Sequence, residues 1–162
     1  MDQRTVDRLV TPFYLKMMRT NAVSYGEELE RELVAVGLDA STQDVISLLR
    51  VPWRSTVMGA WFSLLRDDDE VTAEVLRAVS RSHGSLDAPP LVTAATVLAG
   101  PDAGPALEDY AARDAAGDWQ ASGFAGAAIE HLGHRPANGT TDDDRADFAA
   151  LFALANRLRS AR

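Results

Sequence analysis

The sequence predicts an all-α fold of about nine or ten short helices, paired antiparallel and stacked side by side. Three observations carry that expectation. Alanine and leucine are abundant while β-branched runs bounded by turn residues are missing, which favours helix over strand. Apolar residues recur at helical spacing in the segments between turn signals. The densest segment, Trp53 to Leu65, also has a counterpart: Trp119 lies 66 residues after Trp53, with the Leu91–Leu98 segment and its Ala94-Ala95 midway. Each of these is followed by a more polar segment, and a helix pair recurring every ~30–45 residues marks an α-solenoid.

Taken in order, residues 2–10 read as a short helix with Val6, Leu9 and Val10 on one side. Thr11-Pro12 reads as an N-cap and first-turn proline for a helix to about Val23, striped by Phe13, Tyr14, Met17 and Met18 and ended by Tyr25-Gly26. Glu27 to Val36 is a third helix burying Leu29, Leu33 and Val36, with Gly37 as its C′ residue. Ser41 or Thr42 caps a fourth, which turns Val45, Leu48 and Leu49 inward.

The Trp53 helix follows, with Pro52 in its first turn and large apolar residues at 53, 57, 61, 64 and 65 on one face. Gly59 in its middle costs about 1 kcal/mol relative to alanine, a cost that a very closely packed second helix would offset. Asp67-Asp68-Asp69-Glu70 then precedes a helix with Val71, Val75, Leu76 and Val79 inward, ended by His83-Gly84. These carboxylates read as caps and dipole partners of the helix start, since the alternation and glycine of a calcium loop are missing. Pro89-Pro90 opens a helix that Gly100-Pro101 closes, and Pro105 opens another, with Leu107, Tyr110 and Ala111 inward, that runs to Gly117. Asp118 is expected to cap a helix from Trp119 to Leu132 that Gly133 ends. After a loop, Thr141 and Asp142 to Asp144 cap a last helix striped by Phe148, Leu151, Phe152, Ala155 and Leu158. Arg157, Arg159 and Arg162 lie at its C-terminal end, where cations suit the dipole.

Composition narrows the function classes. At 162 residues the chain is one domain with room for a core, and 46% hydrophobic with 25% charged residues argues against disorder. We divide residues 1–162 into N-terminal helices (1–50), helix pairs (51–133), a flexible loop (134–141) and a C-terminal helix (142–162). With no cysteine, disulfides, thiolate metal sites and thiol catalysis are excluded. A net charge of −8 and a single lysine, Lys16, argue against binding nucleic acid by bulk electrostatics. No signal peptide is apparent and no stretch approaches the ~18 apolar residues that span a bilayer, so a cytoplasmic location without membrane contact is expected.

Several motifs together resemble an uncharacterised bacterial family, domain of unknown function 6000. They are Val10-Thr11-Pro12-Phe13-Tyr14-Leu15-Lys16-Met17-Met18 with Asn21, then Leu48-Leu49 with Trp53-Arg54 and Ala60-Trp61. A third group is Leu107-x-x-Tyr110, Asp118-Trp119, Gly123-Phe124, Ala127-Ala128 and His131-Leu132. The resemblance spans roughly residues 9–158 and departs at Ser82–Asp87 and in the short linker from Tyr110 to Trp119. It implies a helical fold of HEAT-like repeats and no assigned chemistry.

No catalytic, cofactor or metal site is expected. His131 and His134 flank Gly133, which separates them across a helix end, and their spacing is not His-Glu-x-x-His. The prolines of Gly100–Pro105 displace the N–H donors that a phosphate loop needs, and no Gly-x-Ser-x-Gly occurs. For Arg54, beside a core face, two placements are open: it clamps a carboxylate of a neighbouring helix, or it points into a groove and binds an anionic group. Tyr14 and Tyr110 are the aromatic candidates for that groove. The reading is a non-catalytic protein-interaction module with an unidentified protein partner. Its alternatives are an immunity or antitoxin-like protein neutralising a basic toxin, and an enzyme or nucleic-acid-repair protein on a HEAT-like scaffold.

Overall fold

Two capping boxes start helices where the sequence predicts them. Ser41 accepts from the Asp44 N–H at 3.1 Å while Asp44 accepts from the Ser41 N–H at 3.0 Å, and Thr141 and Asp144 repeat the arrangement at 3.1 and 2.9 Å. This computed structural model describes residues 2–51 and 53–162, and no strand occurs among them. The described residues form α1 (Gln3–Leu9), α2 (Tyr14–Met17), α3 (Ala22–Asp39), α4 (Thr42–Leu49), α5 (Arg54–Ser63), α6 (Asp69–Arg81) and α7 (Ala88–Ala99). A 3-10 turn (Gly100–Ala103) then leads to α8 (Gly104–Gly117), α9 (Ser122–His131) and α10 (Asp142–Ser160). The all-α expectation holds. No helix is long and apolar enough to cross a membrane among the described residues.

Helices α5, α7 and α9 form the interior. Every residue from Ser55 to Ser63 and from Ala88 to Thr96 is buried, as are Phe124 to Ile129. A helix that is apolar all round belongs in a core, so α5 has no single buried stripe, contrary to the one-face reading of the Trp53 segment. Buried hydroxyls in these helices bond to their own turns: Ser63 donates to the Ala60 carbonyl, Thr93 to Pro89 and Thr96 to Val92. Along the chain α5 packs on α7 and α7 on α9, while outside them α4 packs on α6 and α6 on α8. The most extensive pairings are α4 with α5, α6 with α7 and α8 with α9, so the more exposed helix of each pair comes first. On the opposite side of the interior helices, α10 packs on α7, α9 and α3, and α3 packs on α5.

Glycine explains where several expected helix ends fail. Gly26 and Gly37 both lie inside α3, not at its ends. A Cβ at Gly26 would strike the Leu154 methyls of α10, and one at Gly37 would strike Leu65 and Phe62, so both glycines admit close neighbours. The expected helix from Pro12 to Val23 instead stops after Met17. Met18 is extended and Arg19 takes a positive φ of 51°, and a new helix starts at Ala22. Gly59 behaves as the sequence suggests: a Cβ there would lie 2.9 Å from the Leu49 backbone nitrogen of α4. The expected first-turn role of Pro52 lies outside the described residues.

Two acidic expectations shift. Asp68 holds the N-cap position of α6 but its side chain does not bond to the helix N–H groups: it accepts from Thr42 at 3.1 Å, while Asp67 takes Arg159 at 3.2 Å and also Arg162. Asp69 and Glu70 do occupy the first turn. Asp118 does not start a helix from Trp119; it closes α8 in the left-handed conformation, and α9 begins at Ser122. The carboxylate that satisfies the start of α9 is Asp114, which accepts from the N–H groups of Ala121 at 3.1 Å and Ser122 at 2.9 Å. It is buried and also takes the Tyr110 hydroxyl at 2.8 Å, so it fastens α9 to α8.

The three arginines near the C-terminus are occupied. Arg157 pairs with Glu30 of α3 at 2.8 Å, and Arg159 donates to the Arg66 carbonyl at 3.1 Å. The 134–141 loop is tied back by Asn138, which donates to the Ala111 carbonyl at 3.2 Å, and Glu130 and Arg145 pair across it at 2.7 and 3.1 Å.

Candidate functional site

Helices α4 and α6 end side by side, and their C-terminal turns carry arginines, where cations meet the negative end of the helix dipole. Arg50 caps α4, while Arg77 and Arg81 sit one and two turns beyond Glu74 on α6. All three converge on Glu74, which is only 2% exposed: Arg50 at 3.0 Å and Arg77 at 3.1 Å reach Oε2, and Arg81 at 2.8 Å reaches Oε1. Burial pushes the Glu74 carboxyl upward, yet the hydrogen bonds from Arg50, Arg81 and Arg77 outweigh it and hold its pKa below the usual value. Arg81 also donates to the Leu49 carbonyl at 3.3 Å, joining the two helix ends.

Beside this cluster opens a cleft of about 450 Å³. Leu49, Arg50 and Val51 form one wall with Trp53, and Ala78 and Arg81 of α6 form another. The connection to α7, Ser82 to Asp87, closes the third side with His83, Leu86 and Asp87. Thr56 donates to the Val51 carbonyl at 2.5 Å and holds the turn in front of α5. Ser82 donates to Asp87 at 2.8 Å, and the Leu86 carbonyl accepts from the Arg19 N–H at 2.9 Å, so the α6–α7 connection is fixed at both flanks. Burial raises the Asp87 carboxyl above its ordinary value despite the Ser82 hydroxyl and nearby His83. His83 packs at a tilt against Trp119, with ring centroids 5.4 Å apart.

The residues expected to form a groove separate here. Tyr14 and Arg54 do meet: the Arg54 guanidinium lies 4.3 Å from the Trp53 ring and 5.4 Å from the Tyr14 ring, and the two rings meet edge-on at 5.8 Å. Arg54 is exposed, and among the described residues no carboxylate pairs with it. Trp53 belongs to both groups, lining the cleft and supporting Arg54. Tyr110 is fully buried. Its hydroxyl is committed to Asp114, and burial together with that carboxylate pushes its pKa far up. It supports the cleft from behind, 3.2 Å from the Gly84 carbonyl, and offers no surface to a partner.

His131 and His134 take different neighbours. His131 packs at a tilt against Phe152 at 4.4 Å and Phe148 at 5.5 Å, while His134 lies 3.4 Å from Glu108. Among the described residues no group of three His, Asp or Glu side chains is disposed to hold a metal.

No family model, curated protein or solved structure matches the chain. No family is therefore shown. The expected membership in domain of unknown function 6000 is overturned, and its motifs show why they misled. Val10, Phe13, Met17, Leu48, Leu49, Trp61, Leu107, Tyr110 and Phe124 are all core residues, a pattern that many helical stacks select independently.

The sequence reading missed the arginine cluster, having seen basic residues grouped only at Arg157–Arg162. Glu74, Arg77 and Arg81 do share a helix face, at spacings readable from the sequence. Arg50 joins them from 24 residues away, and no local pattern announces that.

Proposed function

We propose that this chain is a non-catalytic protein-binding module of helical-repeat type, working in the cytoplasm. Its docking surface is the edge formed by Tyr14, Trp53 and Arg54. The observation that carries the reading is the state of Arg54: exposed, set 4.3 and 5.4 Å from the centres of two aromatic rings and lacking a carboxylate partner among the described residues. A cation preorganised on aromatic faces pays little ordering entropy when it binds, and such Arg and aromatic groups recur as interface anchors. The complementary occupant is an acidic segment of a partner protein that carries an apolar residue to set against Trp53.

Two sequential layers, α4–α6–α8 outside and α5–α7–α9 inside, support a HEAT-like arrangement. The inner layer is covered by α3 and α10, so the face that stacked helices usually offer is closed and the edge is the surface left for docking. An immunity role would call for a basic partner, whereas this edge is cationic. A repair role would need a row of phosphate contacts, whereas Arg50, Arg77 and Arg81 converge on one carboxylate.

The test is affinity capture from lysate at physiological salt with the wild type and Arg54→Glu in parallel, followed by calorimetry with the purified partner. One stoichiometric partner, lost with Arg54→Glu and weakened by added salt, is the expected result. A partner that binds Arg54→Glu equally well, or none at all, overturns the reading.

A further inference from the structure

We propose that the cleft between the ends of α4 and α6 and the α6–α7 connection binds a small amphipathic monocarboxylate. Its carboxylate is received by Arg50 and Arg81, and its hydrocarbon part lies against Trp53, Leu49 and Leu86. This site adjoins the docking edge and shares Trp53 with it, but neither Arg54 nor Tyr14 lines it.

The electrostatics come from an imbalance. Three guanidiniums surround one buried carboxylate, so the cluster keeps two positive charges in excess, one once Asp87 of the cleft is counted, on an otherwise acidic protein. Each guanidinium carries five N–H donors in a planar fork. Arg50 and Arg77 each reach Glu74 through one terminal nitrogen, and Arg81 uses one nitrogen for Glu74 and the Leu49 carbonyl together. The remaining donors of Arg50 and Arg81 belong to side chains that are about half exposed and border the cleft. Glu74 holds both guanidiniums in place before anything binds, which lowers the ordering cost of a charge-assisted contact.

Shape and lining restrict the hydrocarbon part of the ligand. A cavity of about 450 Å³ falls in the range of small-molecule sites, which are mostly apolar with a few placed polar groups. Trp53, Leu49, Val51 and Leu86 supply the apolar walls. Asp87 faces the same space and repels a second carboxylate, which selects a monoacid over a diacid.

The experiment follows the Trp53 indole N–H by NMR during titration with 3-phenylpropionate, 3-phenylpropionamide, phenylsuccinate and a pentapeptide ending in a free Phe carboxylate. The acid is expected to bind at least ten-fold more tightly than the neutral amide and the diacid. Arg50→Gln is expected to weaken the acid at least five-fold with little effect on the amide. Val51→Trp, which fills the cleft while leaving the Glu74 cluster intact, is expected to abolish both. Tighter binding of the pentapeptide than of phenylpropionate assigns the natural source to a chain terminus, and the reverse assigns it to a free metabolite; either supports the chemistry. Equal affinity for acid and amide, or binding unaffected by Arg50→Gln and Val51→Trp, overturns it. Arg54→Gln, which adds no negative charge beside Trp53, leaves phenylpropionate binding within two-fold, so failure of the protein-docking reading and failure of this one are separable.

Discussion

Glu74 and Asp114 are both buried carboxylates, 2% and 1% exposed, and they are satisfied in opposite ways. Asp114 accepts from a phenol hydroxyl and two backbone N–H groups, all neutral and all local to the α8–α9 connection. Glu74 accepts from three guanidiniums on half-exposed side chains, one of them delivered by another helix. A carboxylate ringed by neutral donors closes a fold. One that gathers more positive charge than it neutralises instead leaves the surplus at the surface. The same functional group is architecture on the α8 side of the α6–α7 connection and the base of a candidate site on the α4 side.

The largest expected effect tests the architectural half. Asp114→Ala strands the Tyr110 hydroxyl and the two N–H groups at the start of α9, and should cost about 3 kcal/mol. For a chain of this size that is a fall of roughly 6–12 °C in Tm, measurable by calorimetry. Glu74→Ala should cost less, about 1–2 kcal/mol, because its three arginines can return to water. A Glu74→Ala loss larger than that of Asp114→Ala in denaturant titrations would break the contrast.

Acidity separates the cleft carboxylates further. Glu74 has a folded-state pKa below its unfolded value, so in that interval the unfolded chain binds more protons. Its contribution is full above the unfolded pKa and is lost as pH falls through the folded one. Asp87 is shifted the other way by burial: its protonated form favours folding, and that advantage disappears as pH rises through its folded pKa. Asp87→Asn, which keeps an acceptor for Ser82, should therefore raise Tm at pH 7, with the gain shrinking to nothing in acid. Urea midpoints for both variants between pH 3 and 7 would reveal whether the two residues titrate in opposition.

The smallest effect is expected at Gly84, which lies between the two regions, its carbonyl near Tyr110 and its backbone in the cleft wall. A Cβ there meets nothing within 4 Å, so Gly84→Ala should change stability by less than about 0.5 kcal/mol. A larger loss in the same unfolding assay would mean that the connection needs glycine for a reason other than space.

Much of the helical inventory was legible because its signals are local. The Ser41 and Thr141 capping boxes, the prolines at the start of α7 and the Phe148–Leu158 stripe depend on residues within one or two turns of each other. Gly26 and Gly37 were misread because a glycine that ends a helix and one that admits Leu154 or Phe62 look alike in sequence. Asp118 was misread because the capping carboxylate comes from the preceding helix, folded back through Tyr110 and Asp114. Of the candidate site, the inward turn of Tyr110 was legible from its place on one stripe with Leu107 and Ala111, whereas its contact with Asp114 at the start of α9 and the adjacency of Tyr14 and Arg54 emerge only in three dimensions.

By itself the sequence determined the class of the fold, since helix propensity, capping and 3.6-residue periodicity act within a few turns. It also excluded thiol chemistry outright, through the lack of cysteine. Only the tertiary structure decided which helices are buried on all sides along most of their length, which carboxylate closes α9 onto α8, and that Arg50 joins Arg77 and Arg81 around Glu74. Those outcomes depend on contacts between residues far apart in the chain, where close packing and the cost of an unpaired buried charge choose the partners.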